Sequence, residues 1–130
     1  MHLGGEYNAF YGVYANTFHN TSDATKKNIL GDAELSVTDI ANAPAKVFTW
    51  KDGLDGKRHA GTIAQYWRDV FPEVVSGSEG SMSMNYAELA VVSSIILARN
   101  VETHAQRIAR LEREIATLQE ELNSLRSGQN

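Results

Sequence analysis

The chain has 130 residues, enough for one small globular body. Acidic residues outnumber basic ones, sixteen to twelve, and Lys and Arg form no cluster larger than a pair, so no nucleic-acid partner is expected. Cysteine is absent and the four histidines lie far apart in sequence, so we expect no metal site and no cofactor. No apolar run approaches the roughly 20 residues that cross a bilayer, so no membrane partner is expected.

Residues 1–21 are rich in Gly, Asn and aromatic side chains. The aromatic and β-branched segment from Tyr11 to Ala15 predicts a short strand. The segment has too few apolar residues for a core of its own. We therefore expect it to be the end of a larger protein, with Met1 at a truncation point, or an edge strand that needs a partner.

The middle of the chain predicts a small α+β body. Ser36 and Asp39 have the spacing of a capping box, which favours a short helix that ends before Pro44. The segments 45–50 and 57–63 flank a turn-forming stretch, and together they predict a β-hairpin.

A second short helix is predicted from Ile63 to Val70, ended by Phe71-Pro72. We expect Gln65 to bond backbone groups and Glu73 to pair with a basic residue such as Arg68. Residues 76–81 are interpreted as a flexible turn. Several aromatic residues could suggest a carbohydrate platform, but their spacing favours core packing; these are Trp50, Tyr66, Trp67 and Phe71.

From Tyr86 the chain predicts one long helix, because neither Gly nor Pro occurs before Gly128. Its second half carries a heptad pattern that predicts a parallel, self-associating coiled coil. The a positions are Val101, Ile108, Ile115 and Leu122, and the d positions are His104, Leu111, Leu118 and Leu125.

The heptads leave the number of chains open. In a parallel arrangement Arg107 faces Glu112 of a neighbour and Glu121 faces Arg126, and both pairs are attractive. β-Branched residues at a with Leu at d lean toward two strands. His104 is interpreted as a register device, although it could also form a layer that binds a metal or an anion.

Three segments, in this order, resemble one family. They are Ser22-Asp23 followed by Lys27-Asn28-Ile29, then Gly61-Thr62-Ile63-Ala64-Gln65 with Phe71-Pro72-Glu73-Val74-Val75, and then Ser83-Met84-Asn85-Tyr86 entering the long helix. The chain resembles the intramolecular chaperone auto-processing domain at the C-terminus of bacteriophage tail spikes, tail fibres and neck appendages, of the endosialidase type.

The resemblance implies a homotrimer that templates folding of the upstream fibre and then cuts itself off at the Ser22-Asp23 junction. It implies a Ser-Lys dyad of Ser22 and Lys27. It also divides the chain into the end of the fibre (1–22) and the chaperone domain (23–130), the latter with a body (23–85) and a helix (86–127). The implied location is the bacterial host cytoplasm during phage assembly, with the fibre going to the virion.

The dyad makes chemical demands that the sequence alone does not meet. A lysine can take a serine proton only when it is neutral, and this requires burial. We therefore expect subunit contacts to bury Lys27, so that cleavage waits for assembly. Five residues along an α-helix place side chains about 140° apart, so Ser22 and Lys27 need a turn between them or must come from neighbouring chains.

Several alternatives stay open at this point. Attack by Ser22 on its own carbonyl would close a four-membered ring. The cut after Ser22 therefore favours a serine from another subunit or a dyad-activated water, whereas attack on the Thr21 carbonyl would close a five-membered ring. Ser22 or Asp23 could merely cap a short helix, with Lys27 a surface charge. If the dyad does act, Lys26 is a neighbouring lysine that could be mistaken for its base. The chain could also be a trimerisation and capping module that does not cut.

Overall fold

The computed structural model describes residues 1–129, and they divide into two compact units, Met1–Ala90 and the segment from Val91 onward. The first unit contains two short helices, two small hairpins and two 3₁₀ turns, and a long helix runs from its end through the second unit. The helices are α1 (Val37–Asn42), α2 (Ala64–Val70) and α3 (Tyr86–Gly128), the strands are β1 (Lys46–Phe48), β2 (His59–Gly61), β3 (Val75–Ser76) and β4 (Ser83–Met84), and the 3₁₀ turns are Ala24–Lys26 and Pro72–Val74.

Helix α1 begins as the sequence predicts. The Ser36 hydroxyl accepts a hydrogen bond from the backbone N–H of Asp39 at 3.0 Å, which satisfies one of the unpaired donors of the first turn. The helix ends at Asn42, two residues before Pro44. Tyr66 of α2 donates its hydroxyl to the Asp39 carbonyl at 2.7 Å, and this bond ties the two short helices together.

Two separate antiparallel hairpins make up the β-structure. Strands β1 and β2 pair with Val47 opposite Ala60, so the predicted hairpin is confirmed. Strands β3 and β4 pair with Val75 opposite Met84 and enclose the predicted 76–81 turn. The second hairpin was missed, since strands of two residues carry no detectable alternation. The mixed class with a long C-terminal helix is as predicted.

The core of the first unit is small. Among the described residues, its buried apolar side chains are Leu35, Trp67, Phe71, Val74 and Leu89. The core-packing prediction holds for Trp67 and Phe71 but is wrong for Trp50, which is 53% exposed. Trp50 packs edge-on against Phe48 on the β1–β2 hairpin, with ring centroids 5.1 Å apart. Trp50 therefore lies outside the core and makes its aromatic contacts on the surface of the hairpin.

Trp67 has a polar contact that can be tested by substitution. Its indole N–H donates to the Thr62 hydroxyl at 2.7 Å, and the side chain is nearly fully buried. Replacing Thr62 with valine keeps the shape but leaves this donor without a partner, which should lower the free energy of unfolding by about 1–3 kcal/mol. Urea unfolding followed by tryptophan fluorescence measures the change.

Thr103→Val is the matched control, because the Thr103 hydroxyl bonds only the Arg99 carbonyl of its own helix. This variant should unfold like the wild-type chain. Equal losses in the two variants would contradict a specific role for the Thr62 hydroxyl.

The strand predicted from Tyr11 to Ala15 is wrong for this chain. The segment forms no strand, and Tyr11, Val13 and Tyr14 are all exposed. A strand needs a neighbour to take its backbone hydrogen bonds, and the segment pairs with no strand in the described structure. Its aromatic content therefore does not produce regular structure in the single chain.

Helix α3 confirms the predicted long helix. Along its second half the apolar heptad side chains lie exposed on the single chain, from 47% exposed at Leu122 to 68% at Val101, and His104 is exposed as well. Over residues 1–129, no helix is both long and apolar enough to span a bilayer. The coiled coil itself stays a prediction.

Candidate functional site

The candidate site is built on the first 3₁₀ turn. Asp23 stands just before this turn with extended backbone, and its carboxylate accepts from the Thr25 N–H at 2.9 Å and from the Thr25 hydroxyl at 2.8 Å. The backbone then turns through bonds from Lys26 N–H to the Asp23 carbonyl and from Lys27 N–H to the Ala24 carbonyl. An acidic residue with Thr two positions later is a turn-forming pattern, so this cap has a local sequence signal.

The turn brings the two predicted dyad residues together within one chain. The Lys27 ammonium (Nζ) donates to the Ser22 hydroxyl oxygen (Oγ) at 2.6 Å. A spacing of five residues excluded a shared face of an α-helix, and a tight turn after Asp23 meets the requirement instead. Both side chains come from one chain, so contact between them does not require a second subunit.

The pair is solvent-exposed, as are the flanking residues from Thr21 to Leu30. In this state the lysine is the donor, whereas a base must accept the serine proton. The distance already suits proton transfer. The single chain therefore supplies the geometry of a Ser-Lys dyad, and it lacks the buried surroundings that would favour a neutral lysine.

The negative charge of the Asp23 carboxylate is stabilised by the hydrogen bonds of the turn. Hydrogen bonds from the Thr25 N–H, and then from the Thr25 hydroxyl, lower the pKa of Asp23 below its ordinary value of 3.8. A carboxyl whose pKa is lowered in the folded chain stabilises the fold when the pH is above its ordinary pKa. This contribution is lost as the pH falls through the lowered pKa. The turn that holds Ser22 near Lys27 is thus kept capped at neutral pH.

Two contacts predicted for the motif residues Gln65 and Glu73 are not formed. Gln65 does not bond backbone; its amide donates to the Glu79 carboxylate at 3.0 Å. Arg68 pairs with Glu79 at 3.1 Å and with its neighbour Asp69 at 3.4 Å, not with Glu73. Glu79 was missed because it lies in a Ser- and Gly-rich turn where no pattern marks a carboxylate that binds α2.

The described residues offer no group of three or more metal-ligating side chains. One His-Asp pair occurs on the first hairpin, where His59 lies 2.7 Å from Asp55. The hydrogen bond from the Lys57 N–H lowers the pKa of Asp55; burial opposes this effect, and the hydrogen bond with the His59 ring adds a smaller lowering. We interpret this pair as a contact that stabilises the hairpin loop.

Comparison with known proteins gives a family for the segment that carries the site. Residues 22–76 match the model of Peptidase_S74, the chaperone of endosialidase. The match confirms the resemblance predicted from the sequence. It begins at Ser22 and ends at Ser76 in β3, so it includes the two predicted dyad residues, the first hairpin and α2. No curated protein and no solved structure matches the chain.

The family match supports an intramolecular chaperone role and serine-peptidase self-cleavage in general terms. It covers less than half of the chain. Residues 1–21 and α3 lie outside the match, and so do all the heptad positions. The particular catalytic pair, the scissile bond, the domain boundaries and the number of chains belong to the proposal below.

Proposed function

We propose that this chain is an intramolecular chaperone that assembles as a homotrimer, templates the folding of a phage tail fibre or spike ahead of it, and then cuts itself at the Ser22-Asp23 junction. Ser22 is the nucleophile and Lys27 the general base. The observation that carries the proposal is the 2.6 Å contact between Lys27 Nζ and Ser22 Oγ, placed where the family match begins.

The cut follows the chemistry of acyl transfer. Neutral Lys27 takes the Ser22 hydroxyl proton, and the serine oxygen attacks the carbonyl carbon of Ser22 in a neighbouring chain. The C–N bond to Asp23 breaks as the new amine receives the proton from the Lys27 ammonium. Water then hydrolyses the ester, which leaves a carboxylate on Ser22 and an N-terminal amine on Asp23.

Attack between chains avoids the four-membered ring of attack on the same residue. It also needs two chains at the site, and a second chain can bury the pair. The exposure of Ser22 and Lys27 in the single chain supports this requirement, because a solvated lysine is a poor base. Cleavage then reports that assembly has taken place.

Assembly is assigned to the heptad seam of α3. Its seven apolar side chains are exposed on the single chain and repeat at a and d positions. Three chains, rather than two, follow from the resemblance to trimeric fibre ends. In the cell, assembly takes place in the cytoplasm of the bacterial host, and the upstream fibre proceeds to the virion.

Intact mass measurement with N-terminal sequencing tests the cut directly. The wild-type chain should yield a product that begins at Asp23, and Ser22→Ala should stay whole. A wild-type chain that remains intact as a trimer would favour a non-cleaving trimerisation and capping module. A product that begins at Ser22 would instead move the attack to the Thr21 carbonyl.

A further inference from the structure

Residues 1–22, which precede the Ser22-Asp23 junction, contact a short turn of the body that lies far from them in sequence. Residues 77–81, here called the serine turn, lie in the connection between β3 and β4. The Glu6 carboxylate accepts from the Ser78 N–H at 3.0 Å, from the Ser78 hydroxyl at 2.9 Å and from the Ser81 hydroxyl. Three donors thus converge on one carboxylate oxygen, 72 and 75 residues away along the chain.

The serine turn is held in shape by other parts of the body. Its Glu79 side chain is bound by Gln65 and Arg68 of α2, and the Ser81 N–H closes the turn on the Ser78 carbonyl at 2.9 Å. These bonds do not involve Glu6. The donors are therefore arranged by the body and offered to the incoming carboxylate.

Gly77 leaves space for the carboxylate. Its φ of +88° lies in the left-handed region, which side chains other than glycine rarely adopt. A Cβ there would lie 2.7 Å from the Ser81 carbonyl oxygen and 3.3 Å from the bound oxygen of Glu6. A side chain at this position would distort both the turn and the bound carboxylate.

A second contact holds the same segment elsewhere on the body. The Tyr11 hydroxyl donates to the Asp52 carboxylate at 2.6 Å, in the loop between β1 and β2. This bond raises the pKa of Tyr11 to about 12. Residues 1–22 are therefore bound at Glu6 and at Tyr11, and neither contact uses the peptide bond at the junction.

We propose that the serine turn is a carboxylate-binding site whose ligand is Glu6, and that it keeps residues 1–22 docked on the body after the Ser22-Asp23 bond is cut. The retention after cutting rests on the proposed function, whereas the binding site does not. Cutting and release are then separate steps. Release requires the Glu6 and Tyr11 contacts to break.

The docking has a predictable pH dependence. The hydrogen bond from Ser81, followed by those from Ser78, lowers the pKa of Glu6 below its ordinary value of 4.5. The contact is therefore fully present above pH 4.5 and is lost as pH falls through the lowered value. Acidification below the ordinary value should loosen the segment.

Amide hydrogen exchange in the full-length Ser22→Ala chain tests the binding site without relying on cleavage. Glu6→Ala should speed exchange of the Ser78 amide by about tenfold, because a charge-assisted hydrogen bond is lost. Glu34→Ala, which removes another exposed glutamate of the same unit, should leave the rate unchanged. The Asn85 amide, which bonds the Val74 carbonyl at 2.8 Å, reports whether the body stays folded.

Equal Ser78 exchange in the Glu6 and Glu34 variants would overturn the binding site. If Glu6→Ala also exposes the Asn85 amide, Ser81→Ala replaces it, and the Glu6 pKa followed by NMR should then rise toward 4.5. An unmoved pKa would count against the site.

In the wild-type background, size exclusion after cleavage should show residues 1–22 with the body at pH 7 and separate from it in acid. Immediate separation at pH 7 would overturn retention alone. Absence of any cut would contradict the proposed function and leave the exchange result standing.

Discussion

Replacing Lys27 with alanine should abolish cleavage at the Ser22-Asp23 junction, with a loss in rate of about 10⁴-fold or more, since the members of a catalytic unit act together. The reason is the contact between Lys27 Nζ and Ser22 Oγ, which places this lysine where it can take the serine proton. The fraction of cut chain, followed over time by intact mass, measures the loss.

Two control variants separate catalysis from charge. Lys26→Ala removes the neighbouring lysine at the end of the same 3₁₀ turn and should cut at nearly the wild-type rate. Lys27→Arg keeps a cation at the position, but arginine stays protonated and cannot act as a base, so it should not cut. Cleavage by Lys27→Arg would show that the residue only stabilises charge.

The double variant Ile108→Asp, Ile115→Asp should convert the proposed trimer to a monomer and stop cleavage with it. Each seam isoleucine is worth about 1.5–3 kcal/mol per chain when buried. A carboxylate in the same place faces like charges on the other chains. Sedimentation equilibrium gives the number of chains, and intact mass on the same sample gives the extent of cutting.

The matched control places the same two charges one residue further along. Ala109→Asp with Ala116→Asp occupies b positions, which point away from a coiled-coil seam, so this variant should stay trimeric and should cut. A monomeric seam variant that cuts at the wild-type rate would contradict the dependence of cleavage on assembly. A wild-type dimer would contradict the strand number taken from the resemblance.

The elements predicted correctly from sequence are those whose signals are local. Ser36 caps α1, Phe71-Pro72 ends α2, and the absence of Gly and Pro lets α3 run to Gly128. Each depends on the chemistry of a few consecutive residues. The proximity of Ser22 and Lys27 within one chain is different, because their spacing allowed either a turn or a contact between neighbouring chains, and the structure shows the turn.

The features that the sequence did not reveal depend on distant partners. The Tyr11 segment has strand-like residues but lacks a neighbour to pair with, so its local preference is overruled. The contacts of Glu6 with the serine turn join residues more than 70 positions apart. Nothing in either segment marks the other, and Glu79 gives no signal for the same reason.

The small core of the first unit makes the folded, assembled form of the proposed chaperone depend on the concentration of chains. A body with so few buried apolar side chains gains little free energy from its own packing, so in the proposed trimer folding and association share one equilibrium. Such an equilibrium has a threshold concentration. The proposal therefore implies that newly made chains below this concentration stay unfolded and uncut, and that chains above it fold, associate and cut together.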